Sequence, residues 1–109
     1  MTSGLGRRFD EVVRACAAIE RYVDDTAPSE VVLDAVRMRL VEIGMAVGTL
    51  PEHVTAAEPE IPWARLATVG DRLTGDRCTV SAPVLVSTAR RDVPRLREAV
   101  ERLRADPAD

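Results

Sequence analysis

Histidine occurs once in these 109 residues, at His53. An imidazole suits acid–base work near neutral pH. His53, however, follows Pro51 in a short segment far in sequence from the arginine-rich stretches, and it reads as an exposed loop histidine. Cys16 and Cys78 are the only cysteines. Their long spacing does not make a disulfide framework, and Cys16, at an apolar helical position, reads as a small buried hydrophobe. No Cys/His spacing suggests zinc, and Glu42 and Glu52 stand too far apart for a working carboxylate pair. Gly70 and Gly75 are not followed by the Lys and Ser/Thr of a phosphate-binding loop. The densest chemistry is Asp71-Arg72 and Asp76-Arg77. Arg72 and Arg77 could hold a phosphate, doubled by symmetry in a dimer. The plainer reading is two surface arginines paired with the neighbouring aspartates. No cofactor and no metal are expected.

The elements that must carry these residues are helical throughout. From about Leu5 to Asp24, Phe9, Val12, Val13, Cys16, Ile19, Tyr22 and Val23 recur at three- and four-residue steps, an amphipathic helix. A second helix begins after Ser29, a good N-cap with Glu30 in the first turn. Its stripe of Val32, Val36, Leu40, Ile43, Val47 and Leu50 is widened by Val31, Ala35, Met38, Met45 and Ala46. So broad a stripe predicts a central helix, or one that faces another subunit. Gly44 and Gly48 each cost roughly 1 kcal/mol of helix propensity against Ala, and close approach of another helix is the usual compensation. A short helix follows at about Pro51 to Ala57, with Thr49 as its expected cap. Pro59 and Pro62 make a rigid lead-in to a helix from Trp63 to Thr74. After a polar loop, Ser81-Ala82-Pro83 caps a last helix. Pro94 lies inside that helix and should kink it. Its many charges read as a solvated face.

No strand pattern, repeat or low-complexity tract appears. The reading is all-α: a single domain over residues 1–109, ordered from about 5 to 104, folded as an antiparallel four- to five-helix bundle with a kinked last helix. The formal net charge of −3 argues mildly against nucleic-acid binding through the bulk field. All fifteen basic residues are Arg, which reads first as the codon bias of a GC-rich genome. Met1 to Arg8 contain no apolar core of signal-peptide length, and no apolar run approaches the ~18 residues of a membrane span. The cytoplasm is therefore the expected place.

Three stretches carry a family resemblance. Ala35 to Gly44 (AVRMRLVEIG) resembles the second-helix signature of HepT-like proteins of the HEPN superfamily. Pro59 to Leu66 (PEIPWARL) is similar to that family's Pro-Trp lead-in to its catalytic helix. Asp92-Val93-Pro94-Arg95-Leu96 resembles its proline-bearing last helix. Order and spacing agree from about Phe9 to Leu103. The resemblance implies a HEPN-type bundle that dimerises through its helices. It also implies toxin–antitoxin chemistry: metal-free RNA cleavage by an Arg, four to six residues, then a His, often with a Tyr two residues on. The site forms where two copies meet, and the partner is a small nucleotidyltransferase that inactivates the toxin by adding AMP to that Tyr.

Counted from Trp63, the Arg position falls at Gly70, the His position at Gly75 and the Tyr position at Arg77, with Asp71 where Asn is common. All three chemical side chains are absent, so no catalytic residue is expected. The expected function is that of a catalytically degenerate HepT-like protein: a dimeric binding or regulatory module with a nucleotidyltransferase partner. One alternative is an active ribonuclease with a diverged site of Asp71, Arg72, Asp76 and Arg77. Another is a structural helical dimer without RNA chemistry.

Overall fold

The computed structural model describes residues 4–24, 27–74 and 80–105. Helix α1 spans Gly4–Tyr22, α2 Glu30–Val47, α3 Glu52–Thr55, α4 Trp63–Thr74, α5 Ala82–Ser87 and α6 Val93–Ala105, with a π-helical turn at Thr88–Asp92 joining the last two. There is no strand among the described residues. The all-α bundle expected from the periodicity is what the chain forms.

Each start has a local cause. The Ser29 hydroxyl accepts from the Val32 N–H at 3.2 Å, and the Ser81 hydroxyl accepts from the Val84 N–H at 3.4 Å, satisfying donors that a helix start leaves unpaired. The expected cap at Thr49 does not form. Its hydroxyl donates backwards to the Ala46 carbonyl at 2.8 Å, and Pro51 takes the N-cap place of α3 without a side-chain bond.

Pro94 is accommodated by a widened turn. Pro94 cannot donate to the carbonyl of Arg90, and its ring would strike that carbonyl in a regular helix. The preceding turn is π-helical, and the Val93 N–H reaches back five residues to the Thr88 carbonyl. One inserted residue thus absorbs the mismatch within a continuous helical rod.

Helices α1, α2 and α4 pack in succession, and α6 packs on the other side of α1. The core is aliphatic: Val12, Cys16 and Ile19 of α1, Val36, Leu40 and Ile43 of α2, Leu66 of α4, Leu85 of α5, and Val93, Leu96 and Val100 of α6 are buried. Charged pairs join elements across this core. Arg97 of α6 donates to Glu20 of α1 at 2.6 Å and to Glu101 at 2.8 Å. Arg104 donates to Asp10 of α1 at 3.1 Å. The arginines of the last helix are thus more than a solvated face.

Cys16 lies wholly inside, and burial, more than the nearby Glu20, pushes its thiol up to about 12. A thiol at that value is almost entirely protonated at neutral pH and is a poor nucleophile. We expect alkylating reagents to leave Cys16 unmodified in the native protein and to modify it fully in denaturant. Peptide mapping by mass spectrometry after each treatment checks this.

Candidate functional site at the end of helix α4

The lead-in to α4 is fixed by its own backbone and by α6. Trp63 Nε1–H donates to the Glu58 carbonyl at 3.0 Å, and Ile61 is buried. Trp63 is therefore a packing anchor. The Glu58 carboxylate receives Arg102 of α6 at 2.5 Å. That hydrogen bond, ahead of all other influences, holds the Glu58 carboxyl below its ordinary 4.5. A depressed folded-state value contributes stability that is present above the unfolded value and lost as pH falls through the folded one. Wild type should therefore be more stable than Arg102→Ala near neutral pH, with the gap closing on acidification below about 4.5. Denaturant titrations across that range measure it.

From Trp63 onward, α4 turns Leu66, Val69 and Gly70 inward and Ala64, Arg65, Thr68, Asp71 and Arg72 outward. Gly70 meets Gly44 of α2 backbone to backbone. A Cβ placed on Gly70 would lie 2.9 Å from the Gly44 Cα, and one on Gly44 would lie 2.9 Å from the Gly70 Cα and 3.3 Å from the Leu66 carbonyl oxygen. Gly44 is thus compensated by the close helix approach expected of it. Gly48 is not: it ends α2 at φ −62° and has no other helix against it within 4 Å. The position that the register from Trp63 assigns to arginine is occupied by this crossing.

Asp71 and Arg72 stand exposed in the last turn of α4. Arg72 forms no ion pair among the described residues, so the expected pairing with Asp71 is absent. A cation there suits the negative end of the helix dipole. Gly75, Asp76, Arg77 and Cys78 lie outside the described residues.

His53 is exposed on α3, which follows the C-terminal end of α2. Gly44 lies against Leu66, and Gly70 against Leu40, so α4 runs antiparallel to α2 and its last turn points towards the start of α2. At ~1.5 Å rise per residue, roughly 15 Å of α2 separates the level of the α4 terminus from the end near His53. Within one protomer the two are not brought together. Tyr22 is half-buried, and its hydroxyl accepts from Arg39 Nε at 3.3 Å, so it stands as the rim residue its apolar face implies. Among the described residues no group of His, Cys, Asp and Glu could hold a metal ion, and no helix is long and apolar enough to cross a membrane.

The model of the HepT-like family, described as Ribonuclease HepT-like, matches residues 12–103. The chain belongs to the HepT-like family. It is 29% identical over 101 residues to a protein named Probable ribonuclease HepT from Thermococcus cleftensis, an alignment covering 88% of this chain and 92% of that relative. No solved structure matches the chain. Membership makes this a toxin-like HEPN protein. Sequence reasoning assigned candidate residues to the end of α4. It missed the grouping of Arg65, Thr88, Arg91 and Arg95 around one cavity between α4 and the last helix. The only local signal was the i,i+4 spacing of Arg91 and Arg95.

Proposed function

We propose that this HepT-like chain no longer cleaves RNA and serves as a dimeric binding or regulatory module of the toxin–antitoxin type, with a nucleotidyltransferase as partner. The observation that carries this reading is the placement of the only histidine. His53 sits roughly 15 Å of helix away from the end of α4, so no imidazole of the same protomer serves the site. Metal-free cleavage needs a base for the 2′-hydroxyl and an acid for the leaving oxygen, and exposed Asp71 and Arg72 supply neither well near neutral pH. Gly70, buried against Gly44, leaves no side chain there to steady a phosphate.

Dimerisation is supported by α2. Val31, Met38 and Met45 recur every seven residues on the side opposite Leu40 and Gly44, and they are 78%, 62% and 69% exposed. A stripe of large apolar side chains at that period is the seam of a helix–helix interface. Loss of the acceptor Tyr means that a nucleotidyltransferase partner would bind this chain without the AMP modification.

A second reading is favoured by the unpaired Arg72: a diverged nuclease in which Asp71, Arg72, Asp76 and Arg77 act with a divalent metal. Incubation of purified protein with labelled RNA, with and without Mg2+ or Mn2+, separates the two. The dead-enzyme reading expects no products in either condition. Metal-dependent products that disappear in Asp71→Ala/Arg72→Ala would establish the second reading instead.

A further inference from the structure

A cavity of about 410 Å3 opens between α4, where Arg65 and Val69 line it, and the π-helical turn. Arg65 lines it from α4, Thr88 from the first residue of the turn, and Arg91 and Arg95 from successive turns of the rod. Asp92 is the one acid in its lining, and Arg65 holds that carboxylate at 2.9 Å. Arg91 and Arg95 have no ion pair among the described residues. Three guanidinium groups against one carboxylate is a local excess in a chain whose net charge is −3.

Thr88 supplies an independent observation. It is the only buried polar residue among the described residues, at 6% exposure. It lines the cavity that the arginines surround. The π-helical turn that carries Thr88 and Arg91 is a feature often found at functional sites.

We propose that this cavity binds a phosphate group. Arg91 and Arg95 take its charge, the Thr88 hydroxyl donates to one of its oxygens, and Arg65, fixed by Asp92, closes the α4 side. Guanidinium groups suit phosphate through paired N–H donors, and the volume leaves room for an attached sugar. The phosphate comes from an RNA chain or from a free nucleotide. The inference stands whether or not the chain cuts RNA. The other basic surface, a cleft between α1 and α2 lined by Arg7, Arg8, Arg14 and Arg39, has Glu11 and Glu42 within it. Arg39 there is already engaged by Tyr22 and Glu42. That cleft serves as the control.

The test is fluorescence anisotropy of a labelled single-stranded RNA 12-mer at several salt concentrations, with unlabelled AMP and inorganic phosphate as competitors. Arg91→Ala/Arg95→Ala should weaken RNA binding at least ~10-fold and reduce the salt slope by about 1–2. Arg7→Ala/Arg14→Ala should change it by less than ~3-fold at the lowest salt. Thr88→Val should weaken binding without lowering the melting temperature, since it removes the hydroxyl at nearly constant volume. Displacement by AMP or phosphate at millimolar concentration identifies free phosphate monoesters as ligands. Competition by unlabelled RNA alone identifies the phosphodiester chain. Either result supports the site. The proposal is overturned if Arg91→Ala/Arg95→Ala binds as wild type does, if the control variant carries the loss, or if none of the three probes binds at low salt. A lower melting temperature in Thr88→Val would likewise assign that hydroxyl to the fold and not to a ligand.

Discussion

Gly44→Val should lower the stability of the protein by about 3 kcal/mol or more, among the largest effects open to a single substitution here. The Cβ alone would sit 2.9 Å from the Gly70 Cα and 3.3 Å from the Leu66 carbonyl oxygen. Both contacts are backbone, so no side chain can swing aside, and α4 must move off α2. That motion would open the contacts of buried Leu40 and Leu66 on either side of the crossing. The two γ-methyl groups of valine, stiff at χ1 in a helix, add to the collision. Gly70→Ala meets the same crossing from the other side and should cost about 1–3 kcal/mol. Glycine 48, with no other helix against it, should tolerate alanine far better. Urea unfolding of the three variants beside wild type measures these differences. A Gly44→Val protein as stable as wild type would mean that the crossing is wider than 2.9 Å allows. One consequence concerns attempts to restore catalysis: an arginine at Gly70 must first part the helices, so its failure to cut would be ambiguous without a stability measurement.

Met38→Glu should dissociate the proposed dimer, raising its dissociation constant at least ~100-fold. Met38 is the middle residue of the exposed stripe, seven residues from Val31 and from Met45. In an isologous pairing centred there, the substitution enters twice and sets two carboxylates close to each other. Each would lose water without gaining a partner, at a cost of several kcal/mol. On a free helix surface the same change would be worth less than ~0.5 kcal/mol. Light scattering distinguishes the cases: dimer mass for wild type and monomer mass for Met38→Glu, with α-helical circular dichroism retained. A monomeric wild type, or a variant with unaltered mass, would remove α2 as the interface.

Much of this fold could be read from the chain because its helices announce themselves locally. Serine caps at Ser29 and Ser81, the Pro62-Trp63 lead-in and the three- and four-residue periods fixed α1, α2 and α4 to within a few residues. Less was legible where the answer depends on what lies opposite. Thr49 has the right chemistry for a cap, yet its hydroxyl donates to the Ala46 carbonyl and Pro51 takes the N-cap place of α3. Pro94 signals a disturbed helix, but that the disturbance takes the form of a π turn at Thr88–Asp92 was not legible locally. Arg97, Arg102 and Arg104 read as solvent-facing because their partners Glu20, Glu58 and Asp10 are 77, 44 and 94 residues away. The candidate site divides the same way. Absence of any histidine from the α4 stretch is visible in the sequence. That Gly70 is locked into a helix crossing, and that Thr88 lines one cavity with Arg91 and Arg95, follows only from three-dimensional placement.

Loss of RNA cleavage, as proposed for this HepT-like chain, can be tested on the purified protein. The most direct test incubates uniformly labelled RNA with a molar excess of the protein, from mildly acidic to mildly alkaline pH, and resolves the products on a denaturing gel. Intact RNA is expected throughout, identical for wild type and His53→Ala. Products bearing 2′,3′-cyclic phosphate ends that vanish in His53→Ala would contradict it, and would mean that the only histidine reaches the site from a second copy of the chain.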